Sequence, residues 1–202
     1  MKRLLYLFPA LVLSALLIYQ INVASLSAED DVPDSIFTQE DPTEGSSEYF
    51  LKLSDINGES QREENLGEIE ILSFSWGETN ETQAGRGGLA KIAFEDFSIK
   101  TRVSAASPQI FEAAVNGRVI PEAVFTAYKS SGNGERFKYL EIKLQEVVIV
   151  NYNQDGVNNT LPMDSFSLNF NKVEYEYTPQ KADGTADPPV KAGYDIKKNQ
   201  KI

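Results

Sequence analysis

Residues 67–77, with the sequence GEIEILSFSWG, form the longest apolar run after the N-terminus and decide the fold. Ile69 and Ile71 alternate at period two, which places both side chains on one face of a strand. The apolar residues that follow, from Leu72 to Trp76, also alternate, but one residue out of step. A single-faced strand cannot do this, so the run predicts either a β-bulge or burial of both faces. Bent strands of this kind suit a small barrel or a corner between two sheets.

The composition is that of a globular protein and excludes several classes of chemistry. The 202 residues are 41% hydrophobic and 24% charged, enough for one domain with a core. The chain has no Cys and no His, which excludes disulfides, thiolate metal sites, Cys nucleophiles and His general bases. Its net charge of −11 makes nucleic acid an unsuitable partner, because phosphates require Lys and Arg.

The N-terminus has the layout of a secretory signal over residues 1–28. Lys2 and Arg3 precede an apolar run, and small residues follow it near Ala28. The sequence therefore predicts export to the periplasm or the outside of the cell. The alternative is an uncleaved anchor in the inner membrane, although the run is short for the roughly 20 residues needed and contains Pro9.

Residues 29–48 are predicted to be a disordered linker. They contain eight acidic residues and no basic one, and low hydrophobicity with high charge opposes folding. The alternative interpretation is an acidic interaction tail.

The folded domain is predicted over residues 49–202, where apolar alternation returns. The alternation slips at Glu95-Asp96, which predicts a solvated bulge, and again at Asn171-Lys172. About seven strands are predicted: 49–53, 67–76, 90–100, 122–129, 137–152, 163–179 and 190–196. A mainly β fold, an antiparallel barrel closed or nearly so, is the economical solution because it hides strand edges.

One short helix is predicted over residues 107–116. Ser107 suits the N-cap, Pro108 the first helical position and Gly117 the position after the C-terminus. The helix needs a sheet or a barrel mouth to pack on. Its predicted core-facing stripe consists of Ile110, Phe111, Ala114 and Val115.

No catalytic, cofactor or metal site is predicted. Glu95 and Asp96 are adjacent, so on a strand they point to opposite faces and cannot form a catalytic pair; Asp55 has no partner at a useful spacing. Residues 78–88 are predicted to be an exposed loop. Their glycines do not make a phosphate cradle, since no strand feeds the loop and no Lys-Ser/Thr follows.

Four runs resemble the Hcp family, the inner-tube protein of type VI secretion systems. Their order and spacing match too, and the resemblance covers roughly residues 49–202. The runs are 67–77 (GEIEILSFSWG), 107–117 (SPQIFEAAVNG), 170–181 (FNKVEYEYTPQK) and 193–199 (GYDIKKN).

The resemblance implies a β-barrel of two sheets flanked by one helix, assembling as a hexameric ring. It implies that such rings stack into a tube that carries small effectors and works with a sheath and a spike protein. It implies no catalytic core, because enzymatic members have an additional C-terminal domain, whereas this chain ends after the barrel.

The signal-like segment departs from the family, whose tube proteins are built in the cytoplasm. The sequence therefore leaves two hypotheses: an exported structural protein that self-assembles, or an exported monomeric binding module that has lost the tube role. For assembly, the lysines at the C-terminal end offer complementary charge between neighbours, or else form a solvated tail. These lysines are Lys191, Lys197, Lys198 and Lys201.

Overall fold

The computed structural model describes residues 47–81, 91–130 and 135–202. Within these residues a short 3₁₀ turn (Glu63–Asn65) precedes β2, and one α-helix, α1 (Ser107–Asn116), lies between β5 and β6. The strands of the described residues are β1 (Ser47–Leu53), β2 (Ile69–Ser75), β3 (Glu78–Glu81), β4 (Lys91–Phe94), β5 (Phe97–Arg102), β6 (Val119–Ser130), β7 (Arg136–Asp155), β8 (Met163–Asn169), β9 (Lys172–Tyr177), β10 (Val190–Asp195) and β11 (Gln200–Lys201).

The main sheet closes on itself. Its order is β11-β10-β9-β7-β6-β1-β2-β5-β8, and β8 also pairs with β7. The strands from β7 to β8 in that order therefore form a closed antiparallel barrel, while β9, β10 and β11 extend the sheet from the first half of β7. This confirms the predicted mainly β barrel with one helix.

The phase slip in β2 is a β-bulge. The register between β2 and β5 shifts between Ile71 and Ser73. Leu72 is consequently exposed, whereas Phe74 and Trp76 pack against the core. Of the two readings of this run, the bulge is correct, and its effect is to re-aim the second half of the strand.

The slip at Glu95-Asp96 is not a bulge. It separates β4, which pairs only with β3 in a two-stranded sheet, from β5, which is part of the barrel. The prediction of one strand over residues 90–100 was therefore wrong. The predicted loop over residues 78–88 was also wrong for Glu78–Glu81, which form β3; Gly85, Gly87 and Gly88 lie outside the described residues.

The predicted strand over residues 163–179 is likewise two strands. β8 pairs with the second half of β7 and β9 with the first half, so the chain changes partners at a kink in β7. Glu146 marks that kink with a left-handed φ of 54°. The Asn171 backbone N–H donates to the Gln145 carbonyl at 3.0 Å. This hydrogen bond holds the connection between β8 and β9 next to the kink in β7.

Aromatic side chains fill the barrel. Phe97 and Phe125 are completely buried, and their ring centroids lie 5.4 Å apart. Phe74 reaches them through the bulge of β2, with its centroid 4.3 Å from that of Phe125. Such rings add about 0.5–1.5 kcal/mol per pair beyond the area that they bury.

Helix α1 is held by a buried hydrogen-bond network rather than by the predicted N-cap. Ala106 occupies the N-cap without a side-chain cap, and Ser107 is the first helical residue. The Ser107 hydroxyl donates to the Asp164 carboxylate on β8, and the Tyr152 hydroxyl on β7 donates to it at 3.0 Å. Burial, then the hydrogen bond to Asp164, raises the pKa of Tyr152 to about 12.

The C-terminal end of α1 is as predicted. Gly117 adopts the left-handed conformation with φ of 59°, and the backbone N–H of Arg118 donates to the Ala113 carbonyl at 3.0 Å. This turn leads the chain directly into β6.

Candidate assembly surfaces

The outer face of α1 carries an apolar surface that sequence periodicity assigned to the core. Ile110 and Ala113 are buried, as expected for the face that packs on the barrel. Phe111 and Val115, however, are 54% and 68% exposed. The predicted stripe is therefore confirmed for Ile110 and for Ala114, which packs against the core, and wrong for Phe111 and Val115, because the barrel covers only one side of the helix.

Two further exposed valines lie on β6, which follows α1, and on β7, which α1 contacts. Val119, 59% exposed, begins β6 and lies opposite Val148 of β7; Val150, 51% exposed, follows on β7. The Phe111 ring contacts Tyr152 with centroids 5.8 Å apart, which joins the helix to the strand. We call the four exposed side chains the helix patch: Phe111, Val115, Val119 and Val150.

A second apolar surface lies on the sheet extension. Tyr175 and Tyr177 of β9 are 36% and 40% exposed, and Val190 of β10 is 64% exposed. Val190 pairs with Tyr177 in the register, so both side chains stand on one face. The Trp76 ring stacks on Tyr175 at 6.2 Å and supports it from the barrel side. We call Tyr175, Tyr177 and Val190 the tyrosine patch.

The opposite face of the extension is charged and internally paired. Lys143 lies 3.0 Å from Glu122, and Lys191 lies 2.6 Å from Glu176. The hydrogen bond to Glu122 raises the pKa of Lys143. These cations already have partners on neighbouring strands, so this face contributes little net charge to a contact.

Three of the C-terminal lysines make ion pairs within the chain. Lys197 pairs with Glu146, and that hydrogen bond lowers the pKa of the Glu146 carboxyl. Lys198 lies 3.9 Å from the buried carboxylate of Asp195. Lys191, Lys197 and Lys198 are nevertheless 65%, 60% and 66% exposed, and surface ion pairs contribute little to stability, so intermolecular charge and solvated tail both stay predictions. Lys201 shows no ion pair within the described part of the chain.

The carboxylates considered for catalysis stay apart in the structure. Asp55 follows β1, whereas Glu95 and Asp96 join β4 to β5. Asp96 accepts a hydrogen bond from the Asn169 amide at 2.8 Å, which is a structural role. Among the described residues no group of three or more Asp or Glu side chains could hold a metal ion.

The comparisons with known proteins agree on one family. The family model described as "Type VI secretion system effector, Hcp" matches residues 50–177. Protein hcp1 of Pseudomonas aeruginosa is 32% identical over 157 residues, which cover 75% of this chain and 96% of that protein. The chain belongs to the Hcp family. Membership makes it a structural component of type VI secretion machinery, as the resemblance of the four runs implied.

Solved Hcp-type structures share the fold. A structure described as a type six secretion system protein has a TM-score of 0.72 at 25% identity and covers 78% of this chain and 100% of its own. Hcp1 of Salmonella typhimurium has a TM-score of 0.66 at 26% identity and covers 78% of this chain and 99% of its own. The structural assignment is favoured over the monomeric binding module.

The membrane question concerns a part of the chain that lies outside the described residues. Where side chains and backbone are described, none of the helices has the length and apolarity that crossing a bilayer requires. The signal-like segment over residues 1–28 remains a prediction. β1 begins at Ser47, so Ser47 and Glu48 are part of the barrel rather than of the predicted linker.

Proposed function

We propose that this chain is a ring-forming tube subunit that assembles as a homo-hexamer. The observation that carries the proposal is the match of the Hcp family model to residues 50–177, a range that begins in β1, includes the rest of the closed barrel and ends with β9. A head-to-tail contact between copies closes into a ring when its rotation closes. The two exposed apolar patches, which lie on different elements, supply the kind of surface that such a contact requires.

In the same proposal, rings stack into a tube that carries small effector proteins and works with sheath and spike proteins. The family assignment supports this role. The enclosed space would be that of the ring, because the interior of each barrel is filled by aromatic side chains such as Phe97 and Phe125. The subunit itself does no chemistry, consistent with its lack of His and Cys.

We further propose that the chain is exported with removal of residues 1–28. The arrangement of Lys2, Arg3 and the apolar run supports it. Intact mass measurement of the chain recovered from the periplasm tests this step. The expected mass is that of a chain cleaved at or close to residue 28. A full-length chain in the membrane fraction would favour an uncleaved membrane anchor.

Size-exclusion chromatography with light scattering tests the assembly. The purified chain is expected to elute with the mass of six subunits over a range of protein concentrations. A monomer at every concentration would mean that the Hcp fold is present without its assembly.

A further inference from the structure

We propose that the helix patch of one copy docks on the tyrosine patch of the next copy, forming the contact between neighbouring subunits. The inference rests on the proposed ring and names the surfaces that build it. Both patches consist of large apolar side chains that the chain itself leaves exposed, with exposures between 36% and 68%. A second copy of this chain is the occupant that the following observations favour.

The size of each patch suits the centre of a protein interface. A buried aromatic side chain removes about 150–250 Å² from water, so the half-exposed Phe111 and three valines together offer roughly 300 Å². A standard interface buries about 800 Å² per partner, and about 56–65% of that area is apolar. One patch therefore supplies the larger part of such an apolar centre.

Charge also favours apolar contact between copies. The chain carries a net charge of −11, so two copies repel each other at long range. None of the named members of either patch is charged, and interface centres are depleted in charged residues.

The position of the patches selects a head-to-tail contact. The helix patch lies on α1, at the start of β6 and on the second half of β7, whereas the tyrosine patch lies on β9 and β10, which extend the sheet from the first half of β7. Because the two surfaces are different, pairing one with the other leaves one of each at the free ends. Such pairing does not stop at a dimer, and it makes a ring when its rotation closes.

A cysteine pair tests which surfaces meet, and the chain has no native cysteine to interfere. The full chain with Val115→Cys and Val190→Cys is assembled and then oxidised. Docking brings the two side chains within disulfide range, so a ladder of covalent multimers up to six is expected on a non-reducing gel. The matched control is Val157→Cys with Val190→Cys, since Val157 is 73% exposed but belongs to neither patch.

Charge insertion provides a second measurement. Val115→Glu is expected to abolish the hexamer in light scattering, whereas Val157→Glu, which adds the same charge at an equally exposed valine, leaves it intact. Circular dichroism is used to check that both variants remain folded. Combining Val115→Glu with Val190→Lys is expected to restore the hexamer, because the introduced charges then face each other.

The outcomes separate this inference from the proposed function. If the wild type is a hexamer but the cysteine pair does not cross-link and Val115→Glu leaves the hexamer intact, the ring stands and the proposed docking surfaces are wrong. Cross-linking of Val115→Cys alone into a dimer overturns the head-to-tail arrangement. A monomeric wild type overturns the ring itself, and with it the contact.

Discussion

The carboxylate of Asp164, completely buried on β8, accepts the hydroxyl of Tyr152 on β7 at 3.0 Å. The same carboxylate accepts the hydroxyl of Ser107, the first residue of α1. One buried side chain therefore connects the helix with the two strands at the seam where the barrel closes. It fixes the orientation of α1, and with it the helix patch, relative to β7.

Asp164→Asn is predicted to destabilise the fold by about 1–3 kcal/mol, because the amide turns a donor toward groups that already donate. Urea unfolding measures the loss. Asp155→Asn is the matched control: Asp155 is exposed and accepts from Asn153, so little change is expected. Equal midpoints for the two variants would show that the network does not hold the helix.

Alkaline pH is predicted to weaken the same network. Tyr152 has its pKa raised from 10.0 to about 12 in the folded chain, so its stabilising effect is complete below pH 10. It is lost as the pH rises from 10 to 12, because the unfolded state releases the proton in this interval while the folded state still holds it. The unfolding free energy of the wild type should therefore fall more steeply over this interval than that of Tyr152→Phe. Parallel pH profiles would contradict the assignment.

Two glycines are predicted to resist substitution for different reasons. An added Cβ at Gly58 would lie 2.3 Å from the backbone oxygen of Glu68, so Gly58→Ala must displace the main chain. At Gly117 there is open space, but φ is +59°, and Gly117→Ala should cost about 1–2 kcal/mol. Gly156→Ala meets only an ordinary contact with Pro162 and serves as the control. The expected order of thermal stability is Gly156→Ala, Gly117→Ala, then Gly58→Ala as the least stable.

Truncation of the central ring of the core is predicted to have the largest effect. Phe125 is 0% exposed and contacts Phe74 and Phe97, so Phe125→Ala should cost about 3–5 kcal/mol. Val157→Ala, at a 73% exposed side chain, should change stability by less than about 0.5 kcal/mol. Denaturant unfolding of both variants distinguishes this packing account from one in which the barrel interior tolerates a cavity.

The sequence predicted the barrel because alternation at period two survives along each strand, and the bulge in β2 was visible as a change of phase at Leu72. It did not predict that the breaks at Glu95 and Asn171 separate strands. Both a bulge and a change of partner strand interrupt the alternation, so the sequence does not distinguish them. The strand pairing does: β4 pairs with β3, and β9 pairs with the part of β7 that precedes the kink at Glu146.

The exposed surfaces proposed for assembly were harder to predict. The sequence pattern assigned Phe111 and Val115 to the core because they share an apolar stripe with Ile110. Periodicity does not show which part of a wide apolar stripe the barrel buries. The sequence also did not show that Lys197 and Lys198 have acidic neighbours, because the fold of the sheet extension brings Glu146 and Asp195 to them. Neither of these affected the family resemblance, which rests on specific runs of residues.

Negative-stain electron microscopy of the purified chain tests the central claim most directly. The account predicts class averages of ring-shaped particles with sixfold symmetry and a central channel. Particles of single-subunit size, or compact dimers with a twofold axis and no channel, would contradict it.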